Sequence, residues 1–554
     1  METTVTGHIV DVIGERIFDG TVYVKDGIIE RITRTESLQG TDIPYIMPGF
    51  VDSHMHIEST LLLPENFAKL AVSHGTVAVV TDPHEIANVL GRDGIEFMLA
   101  NASKVKFHFN FGIPSCVPST CFETAGAAIT SDDIKELITR DEFYGLAEMM
   151  NYPGVLNGDP EVMAKIRYAL EAGKLVDGHA PDLTGDVARK YIDAGISTDH
   201  EVYSLENAQE RVEMGMKIQI REGSAARNFE TLRPLLDRDG FKGRMMICTD
   251  DIYPDELQQG HINLIAARAA AYGTSIWNIL HAACVLPVKH YKMHTGLLQP
   301  GDNADFILVK DLRNFKVLQT WIDGEPVFDN GRLNIYREGQ TPAAQDSTLP
   351  NKFCASPVSI EDLKVKATGN MMKVILATEG SLYTEVMDAQ PKVEKGFAVS
   401  DTDRDILKLV VYNRYTPARP AVAFISGFRL KRGAIASTIA HDSHNIIALG
   451  ADDKDIVKAV NELVKSRGGL CIVDGEKMKT LALPVAGLMS PFEGPVVGQT
   501  HKELKAMAAA QGCGFAAPFM TLAFMALPVI PELKLTDIGL FDGMRFRFTN
   551  LFDN

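Results

Sequence analysis

The sequence lacks paired cysteines. Its seven, Cys116, Cys121, Cys248, Cys284, Cys354, Cys471 and Cys513, are odd in number and scattered, with no C-x-x-C spacing. Reduced thiols in a cytoplasm fit that pattern better than a secreted disulfide framework, and no structural zinc knuckle is expected. A long apolar run is also missing. The most apolar tract, 515–531, is interrupted by Pro518, Pro528 and Pro531 and is too short to cross a bilayer. The first residues, Met1-Glu2-Thr3-Thr4-Val5-Thr6-Gly7, show no basic-then-apolar signal pattern. Positive charge is in deficit, with 55 Lys and Arg against 72 Asp and Glu and a formal net charge of −17. Nucleic-acid affinity rests on clustered Lys and Arg, so neither a nucleic acid nor a membrane is an expected partner. No short-period repeat is evident.

What is present divides the chain by texture. The 554 residues are enough for two to four domains at about 100 to 200 residues each. Residues 1–47 alternate as short strands, 4–12, 21–25 and 28–34, with Asp-Gly turns expected at Asp19-Gly20 and Asp26-Gly27. The same texture returns at 305–310, 315–319 and 320–328. Neither piece has enough strands to stand alone, so 1–47 and 296–345 are expected to pair into one composite β-sandwich domain.

Between them, 48–295 alternates strand and helix. The apolar runs are 49–57, 76–81, 105–112, 144–150, 175–179, 196–200, 217–220 and 245–249. Eight runs at spacings of roughly 20 to 35 residues predict a (β/α)₈ barrel, whose usual size is about 250 residues; a doubly wound open sheet has the same alternation. Helices are expected at 131–138 and from Pro160, behind Asp159 as an N-cap. A linker is read from Ser347 to Pro357 by its polar and proline content, and 358–554 is expected to form a C-terminal α+β domain with a helix at 453–464.

The stretch Gly49-Phe50-Val51-Asp52-Ser53-His54-Met55-His56-Ile57-Glu58 carries the chemistry. Side chains at i and i+2 of a strand share a face, so His54 and His56 can aim at one metal ion. Later strand ends add matching donors: Glu148 in the fourth run, His179 closing the fifth, His200 the sixth and Asp250 the eighth. In a barrel these positions converge on one mouth. The donors suffice for two divalent ions with a bridging carboxylate and an open water position: His54, His56 and Asp250 on one, His179 and His200 on the other, Glu148 between. A single ion with spare neighbours is the smaller count. Taken singly, Glu148 could be a salt-bridge partner, the histidines core residues and Asp250 a helix cap.

Pro48-Gly49-Phe50-Val51-Asp52-Ser53-His54-Met55-His56-Ile57-Glu58, the acid at the fourth strand and Cys248-Thr249-Asp250-Asp251 resemble the amidohydrolase superfamily. The wider pattern of Val80-Thr81-Asp82-Pro83-His84-Glu85-Ile86-Ala87-Asn88, Gly178-His179-Ala180-Pro181-Asp182 and Ala440-His441-Asp442-Ser443-His444-Asn445 is similar to the bacterial adenine deaminase family within it, over nearly the whole chain. Many members of the superfamily carry a carboxylated lysine at the fourth strand, where this sequence has Glu148.

The resemblance implies purine salvage by hydrolytic deamination of adenine to hypoxanthine and ammonia in the cytoplasm. It implies a metal-activated hydroxide at a dinuclear centre holding manganese, or iron or zinc, and a homo-oligomer, a dimer. Asp250 would take the proton of the attacking water, and Glu148 or Asp182 would protonate ring N1. Asp182 could equally cap the segment after it. His84 and Glu85 are expected at the rim, as substrate contacts, an accessory ion site or a plain loop-to-helix cap. His441, Asp442 and His444 are expected in a lid that meets substrate, or in a turn bonded to itself. Two alternatives stay open: an amidohydrolase acting on a cyclic amide or imide, and a metal- or ligand-binding protein without activity.

Overall fold

The computed structural model describes residues 2–40, 42–181, 183–342 and 349–552. In chain order the strands of the central region are β1 Phe50–Met55, β2 Thr76–Thr81, β3 His108–Ile113, β4 Phe143–Met149, β5 Leu175–Gly178, β6 Thr198–Asp199, β7 Lys217–Arg221 and β8 Met245–Cys248. All eight runs read from the sequence are strands. β1 to β5 form one parallel sheet and β6 to β8 another. Ser197 N donates to Val176 O at 2.9 Å, joining β6 to β5. Asp250 N donates to His54 O and His56 N to Asp250 O, each at 3.0 Å, returning β8 to β1. The parallel strands are therefore one curled surface, with helices in the crossovers as parallel pairing requires.

Helix Pro160–Glu171 shows why these segments fold as they do. The Asp159 side chain accepts from the backbone N–H of Glu161 and Val162, Pro160 occupies the first turn, and Val162, Ile166 and Ala169 are buried at helical spacing. Close strand approach has its own requirement at Gly178, where a Cβ would lie 2.4 Å from Thr198 O. A side chain there would push β5 off β6 and displace His179.

The terminal segments of the first 342 residues meet in one eight-stranded mixed sheet. Tyr45–Pro48 is its junction, parallel to Glu2–Asp11 and antiparallel to Phe306–Val309. That strand runs through Pro48-Gly49 into β1, so the composite sheet and the histidine strand are one continuous piece of backbone. The turn expected at Asp19-Gly20 is absent. Both residues lie inside strand Arg16–Lys25, where Gly20 pairs with Gly7 and Arg34, and a Cβ on it would lie 2.6 Å from Thr33 O. Glycine there permits close packing of neighbouring strands. Asp26-Gly27 does reverse the chain, with φ of 50° and 84°.

Of the expected linker, Ser347 and Thr348 lie outside the described residues. The remainder is tied to the C-terminal region, with Cys354 N donating to Arg414 O at 2.7 Å. That region is built on a second eight-stranded sheet, covered by helix Asp453–Ser466 through Ile456, Ala459, Val460 and Leu463. It sits against the curled sheet: Asn66 Nδ2 donates to Phe492 O at 3.0 Å, and His501 Nδ1 lies 2.8 Å from Asp255 Oδ1. No helix among the described residues is long and apolar enough to cross a membrane.

Candidate active site

The carboxyl ends of the parallel strands converge. His54 stands one residue before the end of β1, and His56 just beyond that end, its Nδ1 3.0 Å from Asp82 O. That contact orients the ring with Nε2 inward, as an outer hydrogen bond does for a metal-ligating histidine. His56 Nε2 lies 3.0 Å from Asp250 Oδ1 and 3.2 Å from Glu148 Oε1, and His54 Nε2 lies 3.3 Å from Asp250 Oδ1. On the other side of Glu148, His179 Nδ1 is 2.9 Å and His200 Nε2 3.3 Å from Oε2. Glu148 thus faces two histidine pairs with its two oxygens.

Asp250 reaches this position through an unusual backbone. Its φ is +56°, a region that Asp tolerates better than most residues and that clusters at functional sites. All six side chains are buried. Burial pushes the Glu148 carboxyl up, but hydrogen bonds from His179, His200 and His56 outweigh it and hold the group well below the usual range. Burial acts on Asp250 in the same direction and is overcome first by the charges of Arg221 and His200, with the close approach of His54 and His56 adding to them.

These residues suit a metal. His54 Nε2 and His200 Nδ1 are buried without a hydrogen-bond partner. Donor atoms of His54, His56 and Asp250 lie within 4.8 Å of one another, as do those of His54, Glu148 and His200 and those of His56, Asp82, His84 and Glu148. Neutral imidazoles and ionised carboxylates at this spacing are the donor chemistry of divalent transition metals.

Several participants escape the motif reading. Arg221 closes β7, its Nε 2.7 Å from Asp250 Oδ2 and its Nη2 3.2 Å from Asp251 Oδ2, and it also pairs with Glu201. Glu201 Oε1 lies 3.7 Å from His200 Nε2 and 3.9 Å from His179 Nδ1. Asp82 directly follows β2, its Oδ2 3.2 Å from His84 Nδ1. Each follows or ends an apolar strand run, the same signal that identified His179 and His200. Beneath them Asp52 accepts from Thr249 N at 3.1 Å and lies 3.0 Å from His261 Nε2, bracing the last turns of β1 and β8.

His84 and Glu85 open helix His84–Leu90 at the rim, where His84 Nδ1 is 3.5 Å from Glu148 Oε1. His441, Asp442 and His444 come over this rim from the C-terminal region, and Asp442 Oδ1 lies 3.9 Å from His84 Nε2. Burial together with Glu85 pushes Glu58 up to about 7, and burial together with Asp442 pushes Glu123 up to about 8. Asp182 lies outside the described residues. One cavity joins the donors to a roof of Leu382, His441, Asp442, Phe524, Leu527 and Ile530. The C-terminal region thereby closes the mouth with apolar surface and acid–imidazole pairs.

Histidines and carboxylates gathered at the strand ends of a curled parallel sheet define the amidohydrolase class of metal-dependent hydrolases, and the sequence model of the amidohydrolase family matches residues 45–327. A model of the adenine deaminase C-terminal domain matches residues 381–547. A Methanosarcina mazei protein named adenine deaminase is 47% identical over 559 residues, 99% of each chain. A Salinibacter ruber protein of the same name is 47% identical over 551 residues, again 99% of each. Enamidase, in a crystal structure, is similar at 17% identity and a TM-score of 0.45, over 62% of this chain and 98% of its own. The chain belongs to the adenine deaminase branch of the amidohydrolase family.

Proposed function

We propose that the protein hydrolyses adenine to hypoxanthine and ammonia, a step of purine salvage. The observation that carries this reading is the meeting, in one cavity, of the buried donor cluster with a C-terminal roof, in a chain similar from end to end to proteins named adenine deaminase. In the reaction, water oxygen bonds to C6 and the C6–N6 bond breaks; one of the water's two protons leaves with the amino group as ammonia, and the other is matched by the proton gained at ring N1 of hypoxanthine.

Asp250 is the group that receives the first proton. Held ionised by Arg221, and facing His54 and His56, it stands ready as a general base and afterwards passes the proton towards the departing nitrogen. Glu148 or Asp182, after taking up the second water proton, supplies the proton at ring N1. His84 and Asp442 flank the ring from the rim, while Leu382, Phe524 and Ile530 exclude bulk water. His54, His56 and Asp250 would hold one divalent ion and His179 and His200 a second, with Glu148 between them, and manganese is assigned ahead of iron or zinc. Bound divalent ions supply Lewis acidity, which brings the pKa of water down towards about 7.

The same reading takes the curled sheet as a closed (β/α)₈ barrel of residues 48–295 and the mixed sheet of 1–47 and 296–345 as folding over its buried layer of Ile9, Val22, Ile46 and Phe306 into a sandwich; 358–554 is the third domain. Free thiols throughout are consistent with a cytoplasmic setting. A homodimer is assigned from the family resemblance, with sedimentation as its check. Manganese-loaded protein given adenine should show the ultraviolet shift to hypoxanthine. Turnover of a cyclic imide with none of adenine would replace this reading.

A further inference from the structure

The rim holds a second gathering of donors that the deamination reading leaves without a task. His441 Nδ1 lies 3.0 Å from Glu85 Oε1, and His444 Nε2 faces Glu85 Oε2 closely. The three side chains are buried, with donor atoms within 4.8 Å of one another. Yet no well-aligned hydrogen bond reaches either Glu85 oxygen or either ring nitrogen of His444. A plain buried ion pair turns an N–H along the line to an oxygen. Contacts this short without that alignment are those of donors aimed at a shared point. The cluster on the floor has the same spacing, with His56 Nε2 3.0 Å from Asp250 Oδ1.

Both sides of the cluster are held in place. The His441 ring stacks on Phe524 with centroids 4.3 Å apart, and the loop is tied down by Tyr415 OH donating to Ser443 O at 2.6 Å and Asn445 Nδ2 to Thr124 O at 2.9 Å. On the rim side, Ile86 N donates to Glu58 Oε1 at 3.2 Å and Asn88 Nδ2 to His84 O at 3.0 Å. The surroundings are rich in acid, with Glu58, Glu123 and Asp442 buried nearby and Asp442 Oδ2 unpartnered. Buried carboxylates in excess of cations are costly unless they take up a proton or a cation joins them. Two imidazoles and a carboxylate are a set that takes zinc and related divalent ions.

We infer that Glu85, His441 and His444 form a further divalent-cation site, apart from the floor donors, which ties the C-terminal region to the rim of the curled sheet. One ligand comes from the helix after β2 and two from a loop more than 350 residues later in the chain, so the ion would close the roof as a clasp. The full-length protein is loaded with manganese(II), freed of excess metal and measured by plasma mass spectrometry beside Glu85→Gln and His444→Gln. Each variant is expected to hold one equivalent fewer than wild type, however many ions the floor takes. Equal content overturns the site and leaves a buried ion pair. Wild-type crystals measured above the manganese edge read the same question without a variant: an anomalous peak bounded by these three residues is expected. Peaks confined to the floor donors overturn it. A rim peak without floor peaks supports the site and counts only against the deamination reading.

Discussion

Arg221→Leu tests the electrostatics of the floor most sharply. The guanidinium lies between Asp250, Asp251 and Glu201, all buried with it. Removing one partner of a buried ion pair leaves an uncompensated charge and costs about 3 to 5 kcal/mol. At about 2 to 4 °C per kcal/mol for a domain of this size, the metal-free variant should melt roughly 10 °C below wild type. The pH dependence fixes the cause. Asp250 is held well below the usual carboxylate range, against burial, first by Arg221. Its contribution is therefore present above its unfolded pKa of about 3.9 and lost as pH falls through the folded value. Without Arg221 the carboxyl rises, so the deficit of the variant should be largest near pH 8 and shrink towards pH 5. Arg221→Lys keeps the charge without the planar fork and should fall between the two. Differential scanning fluorimetry in chelator at three pH values reads all of this. Equal melting of Arg221→Leu and wild type, or a deficit that does not change with pH, would refute the reasoning.

Other outcomes rest on the same geometry. His56→Asn should lose metal and activity in proportion, because the ring faces both Asp250 and Glu148; metal analysis beside the rate decides it. Asp250→Asn should lower kcat by about 10² to 10⁴ while keeping most of the metal, the signature of a lost general base; parallel loss of both would make Asp250 a ligand only. Burial pushes the Lys534 ammonium down to about 7. That lies below the unfolded value of about 10.4, so the unfolded chain binds more protons between the two and stability rises with pH across that window. Lys534→Met should accordingly outmelt wild type by more at pH 7 than at pH 10, and a difference independent of pH would contradict the buried charge.

Much of the site was legible because strand-end position is a local property. His54, His179, His200 and Asp250 each stand where an apolar run stops, and the eight runs could be counted before any strand was seen. Arg221 stands in the same place but carries no metal-ligand chemistry, so its task becomes visible only beside Asp250. The Asp19-Gly20 pair misled because a glycine that admits a neighbouring strand looks, in one dimension, like a glycine that turns the chain. Glu85 and His441 show the other limit: each motif is conspicuous alone, and nothing local says that they touch.

By itself the sequence determined the alternation of strand and helix, the donor residues and the branch of the family, since hydrophobic period, turn chemistry and motif identity are written in neighbouring residues. Only the tertiary structure decided which oxygens of Glu148 face which histidines, that Arg221 neutralises the floor, and that the C-terminal loop meets Glu85. Those contacts join residues tens to hundreds of positions apart, and their geometry comes from how the sheet curls and how the last region packs across its mouth.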